Sequence, residues 1–140
     1  MISCQVCRIR RVECKRVQSV YIDPARPSEE PIIANLMQMY LHDLSAYELE
    51  DVGKDGRFEY EFLSLYWVEP ERHPFLIRVG DNIAGFALVR ELSTQVYEMS
   101  EFFVMRTYRG RDVGTTVATD LFNRFRGVWQ VAQEAENKKA

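Results

Sequence analysis

A segment rich in arginine and glycine lies between an apolar run and an amphipathic helix, and it constrains the fold more than any other feature. Alternating apolar side chains predict a long strand over Gln95–Met105. From Val113 to Phe125 apolar residues recur at helical spacing, and Gly127 is the predicted C-cap. A helix start offers unpaired amides and a positive dipole end, and glycines let a ligand approach the backbone. The intervening turn, residues 106–112, therefore suits a phosphate group.

Two elements are predicted before this segment. Val17–Ile22 is typical of a strand that ends in a turn at Asp23-Pro24. A helix follows, in which Ser28 is the expected cap, Pro31 fits the first turn and Tyr47 lies near the end. Its apolar stripe is assigned to the core and consists of Ile32, Ile33, Leu36, Met37, Tyr40, Leu41 and Leu44.

The middle of the chain indicates a hairpin. Phe75–Val79 and Ile83–Val89 read as strands joined by a turn at Gly80-Asp81-Asn82. Val128–Val131 is predicted as a short buried strand, whereas Phe62–Val68 fits a helix or a strand equally well. The order predicts an α/β (α+β) fold, in which helices flank a mixed, mostly antiparallel central sheet.

Residues 43–71 are acidic. This stretch holds nine acids against two bases, Lys54 and Arg57. Such a surface can attract a cationic amine, but a solvated helix and loop face is the more ordinary origin for any individual residue.

The first 16 residues form a basic leader, which we expect to be poorly ordered. Arg8, Arg10, Arg11, Lys15 and Arg16 face a single acid, Glu13. With a net charge of −3 the chain lacks a strong attraction for nucleic acid. No apolar run is long enough to span a bilayer, no secretory signal is recognisable, and the cytoplasm is the expected location.

The three cysteines lie in this leader. Cys4 and Cys7 have a spacing that zinc sites use, and Cys14 would be a third ligand. A fourth ligand would have to be His42 or His73, both far along the chain. We therefore expect ordinary thiols and no metal site.

The segment Tyr108-Arg109-Gly110-Arg111-Asp112-Val113-Gly114 resembles the acetyl-CoA motif of the Gcn5-related N-acetyltransferases. That motif reads Gln or Arg, two residues, Gly, one residue, Gly or Ala. The order of the preceding elements is also similar, so the resemblance extends over about residues 17–140. It implies an acyl-CoA N-acyltransferase-like domain there, with acetyl-CoA as the cofactor and a small-molecule amine as the acceptor.

The resemblance also implies roles for individual residues. Backbone groups of Phe103, Val104 and Met105 would contact the pantetheine arm, and Asn137 would touch the cofactor. The pyrophosphate would be wrapped by Arg109, Gly110, Arg111, Asp112, Val113, Gly114 and Thr115.

The reaction would be direct transfer of the acetyl group to a neutral amine, with a base that takes the amine's proton. Glu98 and Glu101 are the candidate bases, and Glu98 is preferred because some family members place their base there. The two are three residues apart, so on a regular strand they should face opposite sides.

Two features depart from the family pattern. Asp112 occupies a glycine position, where its charge would repel pyrophosphate. Its side chain either caps the helix by bonding the amides near Gly114 or Thr115, or points to solvent and leaves those amides free. The chain also stops at Ala140, whereas the family continues with a helix and two strands, so the C-terminal part of the domain is expected to be missing. A fragment, a partner chain that supplies the strands and a degenerate relative are three explanations that remain open.

The sequence therefore favours an acetyl-CoA-dependent N-acetyltransferase whose activity Asp112 and the short C-terminus place in question. The alternatives are a catalytically impaired acyl-CoA-binding or interaction domain of the same fold, and a nucleic-acid-binding protein that uses the basic leader. Exposure of Val128–Val131 as a sheet edge would favour a homodimer.

Overall fold

The structure is a computed structural model that describes residues 19–131. The predictions for residues 1–16, for the three cysteines and for Asn137 lie outside these residues. Five strands and two α-helices are described: β1 (Val20–Pro24), α1 (Glu30–Glu48), β2 (Arg72–Val79), β3 (Asn82–Ser93), β4 (Val96–Val104), α2 (Val113–Arg124) and β5 (Val128–Val131). Short 3-10 turns occur at Pro27–Glu29, Leu63–Trp67 and Arg106–Tyr108.

The strands form one sheet in the order β1-β2-β3-β4-β5. The first four pair antiparallel, and β5 runs parallel to β4. The predicted hairpin is confirmed, because β2 and β3 are joined at Gly80-Asp81. The mixed, mostly antiparallel sheet with flanking helices is confirmed as well.

The helices cover opposite faces of the sheet. On one face the apolar stripe of α1 packs against Leu76, Phe86, Leu88 and Phe103. On the other face α2 packs against the strand residues Phe75, Ile77, Ala87, Val89 and Met99. Because both faces are covered, β3 is buried continuously from Ala84 to Val89.

Helix α1 begins later than its predicted cap. Ser28 lies inside the 3-10 turn and provides no side-chain cap; instead the Glu29 carboxylate accepts from the Arg26 amide at 2.9 Å. The stripe is confirmed as core, since Ile33, Leu36, Met37, Tyr40 and Leu44 are buried. The helix ends at Glu48, followed by Leu49 with a φ of 55°.

Helix α2 ends earlier than predicted. Phe125 is its C-cap, so the expected capping role of Gly127 is wrong. Gly127 instead passes so close to β4 that a Cβ there would overlap the Gln95 carbonyl. This approach lets the Val128 amide donate to the same carbonyl at 2.9 Å and begins the pairing of β4 with β5.

Strand β5 is exposed, which corrects the prediction of a buried strand. Val128 and Val131 are 65% and 54% exposed. The reason is that β5 is the last strand of the described sheet, with β4 on one side only.

Among residues 19–131, no helix is both long and apolar enough to cross a bilayer.

Candidate active site

A β-bulge in β4 organises the site. Leu88 of β3 lies opposite Glu101, but the next residue, Val89, lies opposite Met99, so Ser100 is the extra residue. An extra residue resets the alternation of side chains along a strand. Glu98 and Glu101 therefore line the same cavity, and the prediction that they face opposite sides is wrong.

Beyond the bulge, one edge of β4 has no partner strand among residues 19–131. Strand β5 pairs with it only from Val96 to Met99. The Met105 amide donates to the Ala84 carbonyl at 2.7 Å. Since an antiparallel ladder alternates, the backbone groups of Phe102 and Val104 point away from β3, towards the open side. Of the three residues implied for pantetheine, only Val104 has its amide and carbonyl on that side.

The contact between β3 and β4 at this level depends on Gly85. A Cβ at Gly85 would overlap the carbonyl oxygen of Phe103. This close approach fixes the end of β4 relative to β3, and hence the position of the turn that follows β4.

An apolar cavity of about 380 Å³ lies where β4 and β5 separate. It reaches both faces of the sheet, because Tyr40 and Leu44 come from α1 whereas Ala118 and Phe122 come from α2. The strands contribute Met99, Ser100, Phe102, Trp129 and Val131. Its size and lining are typical of a site for the apolar part of a ligand.

The turn after β4 leads into an uncapped helix start. Gly110 has a φ of 78°, in the left-handed region that glycine adopts without strain. Asp112 is the N-cap residue of α2, as predicted, with a φ of 60°, but its side chain makes no cap hydrogen bond. Of the two orientations expected for Asp112, the structure has the one that points to solvent, since the side chain is exposed and does not occupy the first amides of α2.

Arg109 is held towards α1. Its Nε donates to the Val104 carbonyl at 2.7 Å and one of its terminal nitrogens to Asp43 at 3.0 Å. Arg106 donates to the other oxygen of Asp43 at 2.8 Å. Burial acts to raise the pKa of Asp43, but the hydrogen bonds from the two arginines outweigh it and lower that pKa.

A second cavity, of about 770 Å³, lies on the α1 face beside the bulge, and we call it the acidic cavity. Five glutamates and two arginines contribute to its walls: Glu50, Glu59, Glu61, Glu98, Glu101, Arg72 and Arg90. Tyr60, Phe62, Tyr66 and Ser100 complete the lining. Ser100 also lines the apolar cavity, so the two cavities meet at the bulge.

The two candidate bases have different surroundings. Glu101 accepts a hydrogen bond of 2.6 Å from the Tyr40 hydroxyl. Burial raises the pKa of Glu101, and hydrogen bonds from Tyr40 and Tyr60 only partly oppose this effect. Glu98 accepts from the Ser100 hydroxyl at 2.8 Å and lies 3.5 Å from the Arg90 guanidinium.

The acidic segment that follows α1 is fixed by one side chain. Gln38 accepts from the Phe58 amide at 2.8 Å and donates to the Phe58 carbonyl at 2.9 Å. This two-bond contact holds the neighbouring Glu59 and Tyr60 against the site.

The sequence analysis did not identify Gln38, Asp43, Tyr60 and Ser100 as site residues, because no local pattern marks them. It assigned Tyr40 to the core alone. The signal for Tyr40 was a hydroxyl within an apolar stripe.

Comparisons with known proteins agree with this geometry. A family model described as the acetyltransferase (GNAT) family matches residues 34–140. No curated protein sequence matches at the stringency applied.

Solved structures show the same fold at low sequence identity. An acetyltransferase from Thermus thermophilus aligns with a TM-score of 0.65 at 16% identity, over 82% of this chain and 76% of that one. An aminoglycoside acetyltransferase from an uncultured soil metagenomic sample gives 0.57 at 14%, over 81% and 79%. A spermidine N-acetyltransferase from Vibrio cholerae, in complex with CoA and spermine, gives 0.55 at 14%, over 74% and 62%.

Proposed function

The chain belongs to the acetyltransferase (GNAT) family, and from that premise we propose that it transfers an acetyl group from acetyl-CoA directly to the amine of a cationic small molecule. The observation that carries this proposal is the meeting of two cavities at the β4 bulge. One is apolar and lies where β4 and β5 separate, and the other is acidic and contains the partly buried carboxylate of Glu101. A thioester arm and an amine can thus reach one point from opposite sides.

The residues present fit an acyl-coenzyme A. Phe102 and Val104 turn their backbone groups away from β3, next to an apolar cavity. An amide-containing arm bound there would replace the bond of the Phe102 backbone to the Tyr40 hydroxyl and that of the Val104 carbonyl to Arg109. Gly110 and the uncapped start of α2 leave amides for a pyrophosphate. We propose that this group is held by Arg109, Gly110, Arg111, Asp112, Val113, Gly114 and Thr115, with Asn137 a further contact. When bound, the cofactor supplies the acetyl group as an activated thioester.

Backbone contacts are proposed for two residues of β4. Val104 keeps the role implied by the family resemblance, and Phe102 joins it because its groups face the same side. Phe103 of β4 and Met105, the residue after it, then contribute by pairing with β3. Arg109 has to exchange its bonds to Val104 and Asp43 for the ligand, so its charge is available only after that exchange.

Glu101 is our proposed base, in preference to Glu98. A base that works near neutral pH benefits from a pKa above the ordinary value of about 4.3 for glutamate. The pKa of Glu101 is raised by burial. Glu98, in contrast, accepts from the Ser100 hydroxyl and is paired with Arg90, so its carboxylate already has two partners. We propose that Glu98 helps to attract the cationic acceptor.

The acceptor is proposed to be cationic because glutamates outnumber arginines in the walls of the acidic cavity. The likeness to a spermidine N-acetyltransferase and an aminoglycoside acetyltransferase supports this choice. The cytoplasm remains the proposed location.

Release of free thiol from acetyl-CoA with a panel of polyamines, aminoglycosides and amino acids tests the proposal. We expect turnover with a cationic amine. Glu101→Gln should lower kcat by about 10²-fold or more, while Glu98→Gln, the matched control, should mainly raise KM for the cationic acceptor. Activity should fall as the pH drops through the raised pKa of Glu101, because the base acts in its ionised form.

The impaired acyl-CoA-binding domain is the second candidate function, and the exposed charge of Asp112 beside the α2 start favours it. Calorimetric binding of coenzyme A without turnover of any amine would establish this second function and reject the first.

A further inference from the structure

Two polar atoms in the wall of the acidic cavity are buried without a hydrogen-bond partner. Within residues 19–131, the hydroxyl of Tyr66 and the Nε of Arg90 bond to no other group. Tyr66 as a whole is only 2% exposed. Since buried polar groups are normally bonded, two such atoms in the wall of one cavity point to a ligand that supplies the missing partner.

A chain of side chains at the β4 bulge connects the two atoms. One oxygen of Glu98 accepts from the Ser100 hydroxyl at 2.8 Å and lies 3.5 Å from the Arg90 guanidinium. Burial raises the pKa of Tyr66, and the nearby Ser100 and Arg72 oppose this effect, although neither has the geometry of a hydrogen bond to its hydroxyl. Tyr66 and Arg90 therefore border one part of the cavity, beside Ser100.

The positive charge in this part of the cavity is already paired. Arg72 lies 2.6 Å from Glu69, and Arg90 lies 3.5 Å from Glu98. Because glutamates outnumber arginines in the walls, a carboxylate of a ligand would be repelled here. A neutral oxygen avoids this repulsion, and it can accept from the Nε of Arg90, which only donates.

We propose that Tyr66 and Arg90 form a subsite for a hydroxyl group of the acceptor, so that the acceptor is a hydroxylated amine and not a plain polyamine. The inference rests on the proposed function and specifies its substrate class. A hydroxyl oxygen accepts from Arg90 and also pairs with the Tyr66 hydroxyl, which can donate or accept. The ammonium groups of a plain polyamine only donate, so they would leave the Nε of Arg90 unpaired.

The strand register sets the spacing between this subsite and the proposed base. Leu88 of β3 lies opposite Glu101, and Arg90, two residues further along β3, lies opposite Glu98. Two residues of a strand span about 7 Å. The acceptor is therefore expected to carry its hydroxyl several bonds away from the reacting amine.

Binding at this subsite requires neighbouring side chains to shift, because both atoms are covered. The Arg72 guanidinium lies 5.2 Å from the centre of the Tyr66 ring and is held by Glu69. The side chains of Glu69 and Arg90 are 40% and 38% exposed, so both have room to move.

Acceptors that differ in one terminal group test the subsite. Aminopentanol, a five-carbon terminal amino alcohol, is compared with hexylamine, which has a methyl group in place of the hydroxyl. For the wild type we expect kcat/KM with acetyl-CoA to be about tenfold higher for aminopentanol, the effect of about one net hydrogen bond. Aminopentanoate, with a carboxylate at that end, should react more slowly than aminopentanol, and the reverse order would overturn the assignment of a neutral oxygen.

Two variants remove the proposed donors. Tyr66→Phe keeps the ring, and Arg90→Lys keeps the charge beside Glu98 but has no Nε. In each, the preference for aminopentanol over hexylamine should fall at least about threefold. With cadaverine, which carries a second ammonium group instead of a hydroxyl, Tyr66→Phe should change kcat/KM by less than about twofold, because that group does not use the hydroxyl.

Thermal unfolding gives a measurement that does not depend on turnover. Since the Tyr66 hydroxyl has no partner in the fold, Tyr66→Phe should melt no lower than the wild type and up to about 3 °C higher. Tyr21→Phe, at an exposed tyrosine outside the walls of both cavities, is the control. A clear fall in the melting temperature of Tyr66→Phe alone would show that its hydroxyl is bonded within the fold, and would overturn the subsite.

The subsite and the proposed function can fail separately. If the wild type acetylates amines but does not prefer aminopentanol, or if both variants keep the full preference, the subsite is refuted and the proposed function stands. If no amine is acetylated, the proposed function fails, and calorimetric titration of aminopentanol and hexylamine in the presence of coenzyme A decides the subsite. Tighter binding of aminopentanol by the wild type but not by Tyr66→Phe would support it, and equal binding of the two compounds would refute it.

Discussion

The backbone conformation of Asp112 suits the turn before α2, but its negative charge would oppose a bound pyrophosphate. Its φ of 60° is costly for most side chains, and aspartate is among the few non-glycine residues that adopt it with little strain. The backbone therefore keeps the shape that a glycine would give. The cost lies in the carboxylate, which stands beside amides that a pyrophosphate would use.

Replacing Asp112 should tighten cofactor binding. Asp112→Asn removes the charge and keeps the tolerance for positive φ, so we expect about tenfold tighter binding of coenzyme A. Asp112→Gly should do at least as well. Calorimetric titration gives the affinities, and Asp81→Asn in the exposed hairpin turn is the control for a change of net charge. Equal affinities of wild type and both Asp112 variants would show that this charge does not reach the ligand.

At the scale of elements, a bulge and a side-chain bond bring the parts of the acidic cavity together. The extra residue in β4 turns Glu98 and Glu101 to one side. The contact between Gln38 of α1 and Phe58 holds the acidic segment over that side. Neither the bulge nor the Gln38 contact lies in the motif that resembles the family, yet both decide which carboxylates line the acidic cavity.

Loss of the Gln38 side chain should loosen the acidic segment. Gln38→Ala removes two hydrogen bonds to the Phe58 backbone, each contributing about 1 kcal/mol. We expect faster amide hydrogen exchange over residues 50–61 and a higher acceptor KM, with coenzyme A affinity unchanged. Met39→Ala, at an exposed position on the same helix, is the control. Unaltered hydrogen exchange in this segment would show that the contact between Gln38 and Phe58 does not order it.

At the scale of the whole molecule, two covered faces and an open edge define what this chain can bind. Within residues 19–131, a helix covers each face of the sheet, and the apolar cavity lies where β4 and β5 separate. The outer edge of β5 carries exposed valines. Such an edge can pair with another strand, and we keep a homodimer through β5 as a proposal.

A charge on this edge tests the homodimer. Val128 is 65% exposed and lies outside the walls of both cavities. If two copies pair along β5, the wild type should associate with rising concentration in sedimentation velocity, and Val128→Lys should shift it to monomer without loss of coenzyme A binding. Val52→Lys, a similar change at another exposed valine, is the control. A wild type that stays monomeric throughout the range would exclude this dimer.

The sequence by itself determined the order of the elements, the hairpin, the sheet class and the position of the Arg-Gly turn before α2. These follow from local rules, namely the period of apolar residues, the turn residues and the glycines around Arg109. The α1 stripe was predictable for the same reason, because its period depends only on neighbours along the chain.

Only the tertiary structure decided the chemistry of the site. A bulge depends on how two strands pair, so the shared side of Glu98 and Glu101 could not be read from their spacing. The bond between Tyr40 and Glu101 joins residues 61 positions apart. The exposure of β5 depends on its place at the end of the described sheet. Contacts between distant segments set burial and pKa, and one sequence does not display them.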